Sequence, residues 1–126
     1  MPKSVPALPG IEASSFPFSQ VVEANGFVFL AGQVGNKPGE ANAVTGGIEP
    51  ETRQMLDNVG RLLEAAGLGY GDVVKATVYL RDFSEFEAMN AIYRDYFPTE
   101  PPTRATIGVA ALARDYRIEI EVVAAR

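Results

Sequence analysis

Arg104 opens the apolar run Thr103-Arg104-Ala105-Thr106-Ile107-Gly108-Val109. Glu119 and Glu121 alternate with aliphatic residues in Arg117-Ile118-Glu119-Ile120-Glu121-Val122-Val123. An arginine at the start of a core strand needs an anionic partner. Its guanidinium fork takes a carboxylate through two parallel hydrogen bonds. Two carboxylates on one face of a neighbouring strand supply groups that handle protons. Together they predict a site for a small carboxylic acid with a base beside it. The competing reading is a structural ion pair of Arg104 with Glu119, Glu121 or Asp115, with at least one glutamate a solvated strand charge. Position favours the ligand reading, because Arg104 follows the rigid Pro101-Pro102 pair and its fork is pre-oriented at a sheet end.

The residue types that are missing narrow the chemistry. The chain has neither cysteine nor histidine. Disulfides, thiolate nucleophiles and a Ser-His-Asp triad are therefore impossible, and the commonest general base is absent. Chemistry must run on carboxylates, Arg, Lys, Tyr, hydroxyls and backbone groups. Asn90 lies four residues after Phe86 on the apolar stripe of a helix; it either satisfies a buried backbone group or touches a ligand. Gly32-Gln33 and Gly35 end a strand, and Gly108 lies within one; each glycine ends a strand or lets a ligand approach bare N–H groups. Tyr79, Tyr93, Tyr96 and Tyr116 read as core or interface aromatics. No phosphate-loop spacing and no clustered-carboxylate metal pattern is found.

These residues need a scaffold. Residues 1–17 read as an irregular arm rich in Pro, Ser and Gly. Strands are predicted over Gln20–Glu23 and Phe27–Gln33, joined by the hairpin signal Asn25-Gly26. A helix is predicted from Glu49 to Ala66, with Met55, Val59, Leu62, Leu63 and Ala66 on one face and Gly67 as C-cap. A strand follows over Val73–Leu80. Ser84 with Glu87 makes a capping box for a second helix reaching Phe97. Strands over Arg104–Val109 and Arg117–Ala125 end the chain. The order β-β-α-β-α-β-β is an α+β pattern, in which two helices cover one face of a sheet. The strand Phe27-Val28-Phe29-Leu30-Ala31 is apolar on both faces, so the helix-free face is expected to be buried in a homo-oligomer. Ile118, Ile120 and Val122 then pack under the helices, and Glu119 and Glu121 point to the oligomer side.

The 126 residues fit one domain, 1–126, with a modest core. Eleven basic against sixteen acidic residues give a net charge of −5, which argues against nucleic acid as partner. No apolar run is long enough to span a bilayer. Met1 to Pro6 carries a charge with no apolar stretch behind it, so no signal peptide and a cytoplasmic location are expected.

The segments Leu30-Ala31-Gly32-Gln33, Asn58-Val59, Val74 to Leu80, Asn90-Ala91-Ile92-Tyr93, Pro102 to Thr106 and Ile118 to Glu121 fall in one order. This ordered set resembles the RidA/YjgF (Rid) family of enamine/imine deaminases, from about Phe16 onward. The resemblance implies a chorismate-mutase-like α+β fold and a homotrimer with clefts between subunits. It also implies hydrolysis of 2-aminoacrylate and related 2-imino acids to 2-keto acids and ammonia, without metal or organic cofactor. By position, Arg104 would bind the substrate carboxylate and Glu119 would help position water. Gly32 and Thr106 would line the pocket, with Asn90 nearby. Phe18 stands where the family's deaminases usually have tyrosine, Ala31 where they usually have serine, and Thr106 where many have cysteine. Phe18 and Ala31 lack hydroxyls that hold substrate or water; one such hydrogen bond is worth about 1 kcal/mol, or roughly fivefold in rate. Two other functions stay open. One is a small-molecule sensor or interaction module binding a keto or amino acid in the same cleft without turnover. The other is the ribonuclease label some relatives carry, disfavoured by the acidic, histidine-free chain.

Overall fold

The computed structural model describes residues 2–126. The elements in chain order are β1 (Val21–Ala24), β2 (Phe27–Leu30), β3 (Gln33–Val34), α1 (Ile48–Ala65), β4 (Val73–Leu80), α2 (Phe86–Tyr96), β5 (Thr103–Gly108) and β6 (Ile118–Ala125). The sheet runs β1-β2-β6-β4-β5, and β3 also pairs with β6. All pairings are antiparallel except β4 with β5, whose crossover carries α2. This is the predicted α+β class, a single mixed sheet with two helices.

Local chemistry explains most boundaries. Asn25 and Gly26 both hold positive φ, 52° and 82°, as the tight β1–β2 turn requires. In α1 the apolar spacing buries Met55, Leu56, Val59, Leu62 and Leu63 completely or nearly so. Each such side chain contributes about 1.5–3 kcal/mol by burial. The helix ends where the Leu68 N–H donates to the Leu63 carbonyl and the Gly67 N–H to that of Glu64, a Schellman closure. From the sheet, Val28, Ala76, Val78, Leu80, Ile118, Ile120, Val122 and Ala124 complete the core.

Most strand and helix ends fall within a residue of expectation, and two places differ in kind. The second predicted strand does not run through to Gln33. Phe29 pairs with Val123 and Gln33 with Ile120, so four steps on one strand oppose three on the other. The extra residue makes a bulge at Ala31-Gly32, because a one-residue slip re-aims the side chains that follow. The cap before α2 is also different. Asp82, not Ser84, accepts from the Ser84 N–H at 3.0 Å and from its hydroxyl at 2.7 Å. A turn of 3₁₀ helix, Phe83–Glu85, then leads into α2. A carboxylate two residues before the first free N–H outcompetes the serine hydroxyl.

The sheet has one covered and one open face. Alternation places Phe27 and Phe29 on the open face, 45% and 43% exposed, and buries Val28 and Leu30. Ile107 and Val74 are also exposed. Residues Val5 to Phe18 form the arm, tied to the sheet edge by a bridge between Ser4 and Glu23. Among the described residues no helix is long and apolar enough to cross a membrane.

Candidate functional site

Arg104 lies on the covered face. It is the partner of Ala76 across the β4–β5 ladder, and Ala76 is buried under the helices. Its guanidinium carbon sits 4.5 Å from the Tyr93 ring centroid and 5.7 Å from that of Phe86, both on α2. Stacking of this kind contributes about 0.5–2 kcal/mol and fixes the plane of the fork. Among the described residues, Arg104 has no carboxylate within salt-bridge distance; the ion pairs are Arg53–Asp95, Arg117–Glu85 and Arg126–Glu23. The structural ion pair with Glu119, Glu121 or Asp115 is therefore absent. Tyr93 is buried, and its hydroxyl lacks a hydrogen-bond partner. Burial raises the hydroxyl's pKa, and the charge of Arg104 offsets part of the rise.

Thr106 is two residues further along β5, so it shares the face of Arg104; it pairs with Val78 and is half-buried. Asn90 is half-buried on α2, between Phe86 and Tyr93 by helical spacing. Phe83 stacks on Phe86 with ring centroids 5.4 Å apart and extends the aromatic wall into solvent.

Glu119 lies on the other face. It pairs with Tyr79 on β4 and Val34 on β3. The Oε2 of its half-buried carboxylate lies against Gly32, so close that a β-carbon at position 32 would overlap it. Glycine at the bulge is thus a requirement of this contact. Burial raises the Glu119 pKa above the ordinary 4.5, and the charge of Glu121 adds to the rise. Glu121 is exposed and accepts a hydrogen bond from the Tyr79 hydroxyl at 2.6 Å. Ala31, next to Gly32, donates its N–H to the Gln20 carbonyl at 2.8 Å. Phe18 is 53% exposed on the arm and stacks on Phe16 at 6.3 Å.

The structure therefore sorts the candidates into two groups. Arg104 and Thr106 stand on β5 beneath α2, the helix that carries Asn90. Phe18, Ala31, Gly32 and Glu119 gather around the bulge. β5 and β6 are not neighbours, since β4 runs between them. Arg104 pairs with Ala76 and Glu119 with Tyr79, so the two are about 10 Å apart across the strands and about 10 Å apart along them, and they project from opposite faces. A groove of about 650 Å³ is lined by Phe18, Gln20, Gly32, Gln33 and Arg61, among others. A hollow of about 400 Å³ beneath the arm is lined by Val5, Leu8, Ile11, Phe18 and Val21, among others. Neither is lined by Arg104 or Glu119.

The aromatic shelf under Arg104 was missed as such from sequence. Its signal was present in the i, i+4, i+7 spacing of Phe86, Asn90 and Tyr93. What the spacing cannot show is which strand residue the stripe meets.

Known proteins share this arrangement of elements. The model of the family described as endoribonuclease L-PSP matches residues 11–126. The human 2-iminobutanoate/2-iminopropanoate deaminase is 44% identical over 108 residues, covering 86% of this chain and 79% of that protein. The crystal structure of the Escherichia coli YjgF gene product superposes with a TM-score of 0.84 at 36% identity, covering 90% of this chain and 91% of that one. Escherichia coli TdcF with bound serine superposes equally well, at 32% identity over 90% and 91% of the two chains. With its sheet, its bulge and its ordered motifs all accounted for, the chain belongs to the endoribonuclease L-PSP family, the RidA/YjgF group that its motifs resemble.

Proposed function

We propose that this protein is an enzyme that hydrolyses reactive 2-imino acids, and the enamines that tautomerise to them, to 2-keto acids and ammonia. The observation that carries the reading is an arginine held on an aromatic shelf with no acidic partner, in a chain 44% identical to a 2-iminobutanoate/2-iminopropanoate deaminase. A stacked, unpaired guanidinium is a ready carboxylate receptor. That TdcF was crystallised with serine agrees with a small carboxylate ligand in this fold.

In the proposed site the Arg104 fork binds the substrate carboxylate and orients the C=N carbon. Glu119 accepts a proton from water as its oxygen bonds to that carbon, the C=N π electrons pass to nitrogen, and Glu119 returns the proton to that nitrogen. The carbinolamine then collapses: its hydroxyl proton passes to the amine through Glu119, the C–N bond breaks, the C=O bond forms and ammonia leaves. Imines hydrolyse readily, so orientation and proton transfer suffice as catalysis. Asn90, Thr106, Gly32, Ala31 and Phe18 line the pocket. Because Arg104 and Glu119 project from opposite faces of one sheet, the site is completed between two copies of the chain. The exposed apolar Phe27 and Phe29 supply a surface for that assembly, which we take to be a homotrimer.

The test is the decay of 2-imino acids generated in place by an amino-acid oxidase, with and without the protein. Faster decay that is lost in Arg104→Ala supports the reading. No acceleration with any side chain, from a folded oligomer, overturns it. Phe18 and Ala31, which offer no hydroxyl, favour a second reading: a binding or regulatory protein using the same cleft. Ligand-dependent melting without ammonia release would establish that alternative.

A further inference from the structure

We propose that Glu51 is a positioning residue for Glu119, a role that rests on the deaminase reading. Glu51 is 2% exposed in the first turn of α1. Its Oε2 accepts the backbone N–H of Arg117 at 2.7 Å, and the N–H of Ile118 lies beside it. These residues open β6, directly before Glu119. On its other side Gly35 packs so close that a β-carbon there would collide with the Glu51 main chain and side chain. Gly35 follows Val34, the partner of Glu119 across the β3–β6 ladder. Glu51 thus holds the start of Glu119's own strand through its carboxylate and meets the end of β3 through its main chain and Cγ.

The surroundings suit an anchor. The Arg117 guanidinium turns to Glu85 at 2.8 Å instead of neutralising Glu51. Asp115 and Tyr116 are the other titratable groups near it on the approach to β6. Burial raises the Glu51 pKa, and the two N–H groups and the Arg117 charge offset part of that rise. Desolvating a carboxylate to hold backbone groups is costly. The geometry it secures is that of Glu119 on Gly32, where a shift of an ångström changes a rate by about a hundredfold.

The test compares Glu51→Asp, which withdraws the carboxylate by one methylene, with Glu51→Gln, which keeps its length and an accepting oxygen. Two quantities are read per folded protein: the kcat and KM of imine hydrolysis, and the Glu119 titration midpoint by carbon-detected NMR of the side-chain carboxyl. Glu51→Asp is expected to lower kcat about tenfold with KM within about twofold. It should also move the Glu119 midpoint down toward the ordinary value as water reaches the loosened side chain. Glu51→Gln should stay within about threefold in kcat and leave the midpoint in place. Glu119 owes its raised proton affinity to burial and Glu121, so loss of the Glu51 charge alone moves nothing. An Asp variant that is less stable but unchanged in kcat and midpoint overturns the proposal, and so does a Gln variant with a tenfold loss or a moved midpoint. If Glu51→Asp does not fold, Gly35→Ala displaces the Glu51 main chain and Cγ from the β3 side and carries the same expectations. If the wild type hydrolyses no imine, the deaminase reading falls, and the Glu119 midpoint alone decides this inference.

Discussion

Arg104 and Glu119 occupy opposite environments on one sheet. Among the described residues, Arg104 sits under α2 on two aromatic rings with no acid within salt-bridge distance. Glu119 sits on the open face beside another acid and against a bare glycine, with no cation among the described residues within salt-bridge distance. Each charge is held without the partner that would neutralise it. An arginine and a glutamate placed side by side in one chain would bond to each other and leave neither free. Separating them by a strand and a sheet face keeps the cation open to a carboxylate and keeps the glutamate avid for protons.

The comparison can be broken most severely at its cationic end. Arg104→Ala should lower kcat/KM by roughly 100- to 10,000-fold, since two charge-assisted hydrogen bonds are lost, measured as imine decay. Glu119→Gln should lower kcat about 100-fold with KM changed by less than about threefold. A larger effect on KM than on kcat would give Glu119 a binding role instead. Co-refolding those two inactive variants in equal amounts should restore about one quarter of wild-type activity. If one cleft takes Arg104 from one copy and Glu119 from the next, each mixed trimer has one intact cleft of three, and about three quarters of trimers are mixed. No recovery would mean that the charges meet within one chain after a rearrangement. Phe18→Tyr should raise kcat/KM about fivefold if a hydroxyl there restores one hydrogen bond.

The acidic end also predicts a pH dependence of stability. The Glu119 midpoint in the folded protein lies above 4.5 because burial penalises the anion. Between those values the folded protein holds more protons than the unfolded chain, so stability falls as pH rises through the window. Glu119→Gln should therefore raise Tm at pH 7, with the difference vanishing by about pH 4. A calorimetric series in pH checks the sign; a variant less stable at pH 7 would show that the carboxylate is paired after all.

Much was legible from local patterns. The ends of the Val73–Leu80 strand were found to the residue, although an irregularity between Val73 and Lys75 leaves Val74 exposed and buries Val73 instead, and Asn25-Gly26 announced its turn. Phe27 and Phe29 alternate with Val28 and Leu30, so a doubly apolar strand was visible before any partner strand was known. The bulge at Ala31-Gly32 was not legible, because it is a property of two strands in register. Nor was the buried Glu51 singled out. An acid in the first turn of a helix is ordinary by sequence, and only its contact with the start of β6 makes it unusual.

The order of elements, the helix faces and the residue types available for chemistry follow from this chain's sequence alone, since periodicity, turn residues and composition are local quantities. The sequence also determined that any base must be a carboxylate, lysine or tyrosine, because histidine and cysteine are absent. The tertiary structure decided which side chains share a face. It inserted β4 between the arginine strand and the glutamate strand and placed Arg104 on Tyr93 and Phe86, on the face opposite the one that alternation already assigned to Glu119. The reason is physical: side-chain direction alternates along every strand, so strand order and register, which no single segment encodes, determine which charges can meet.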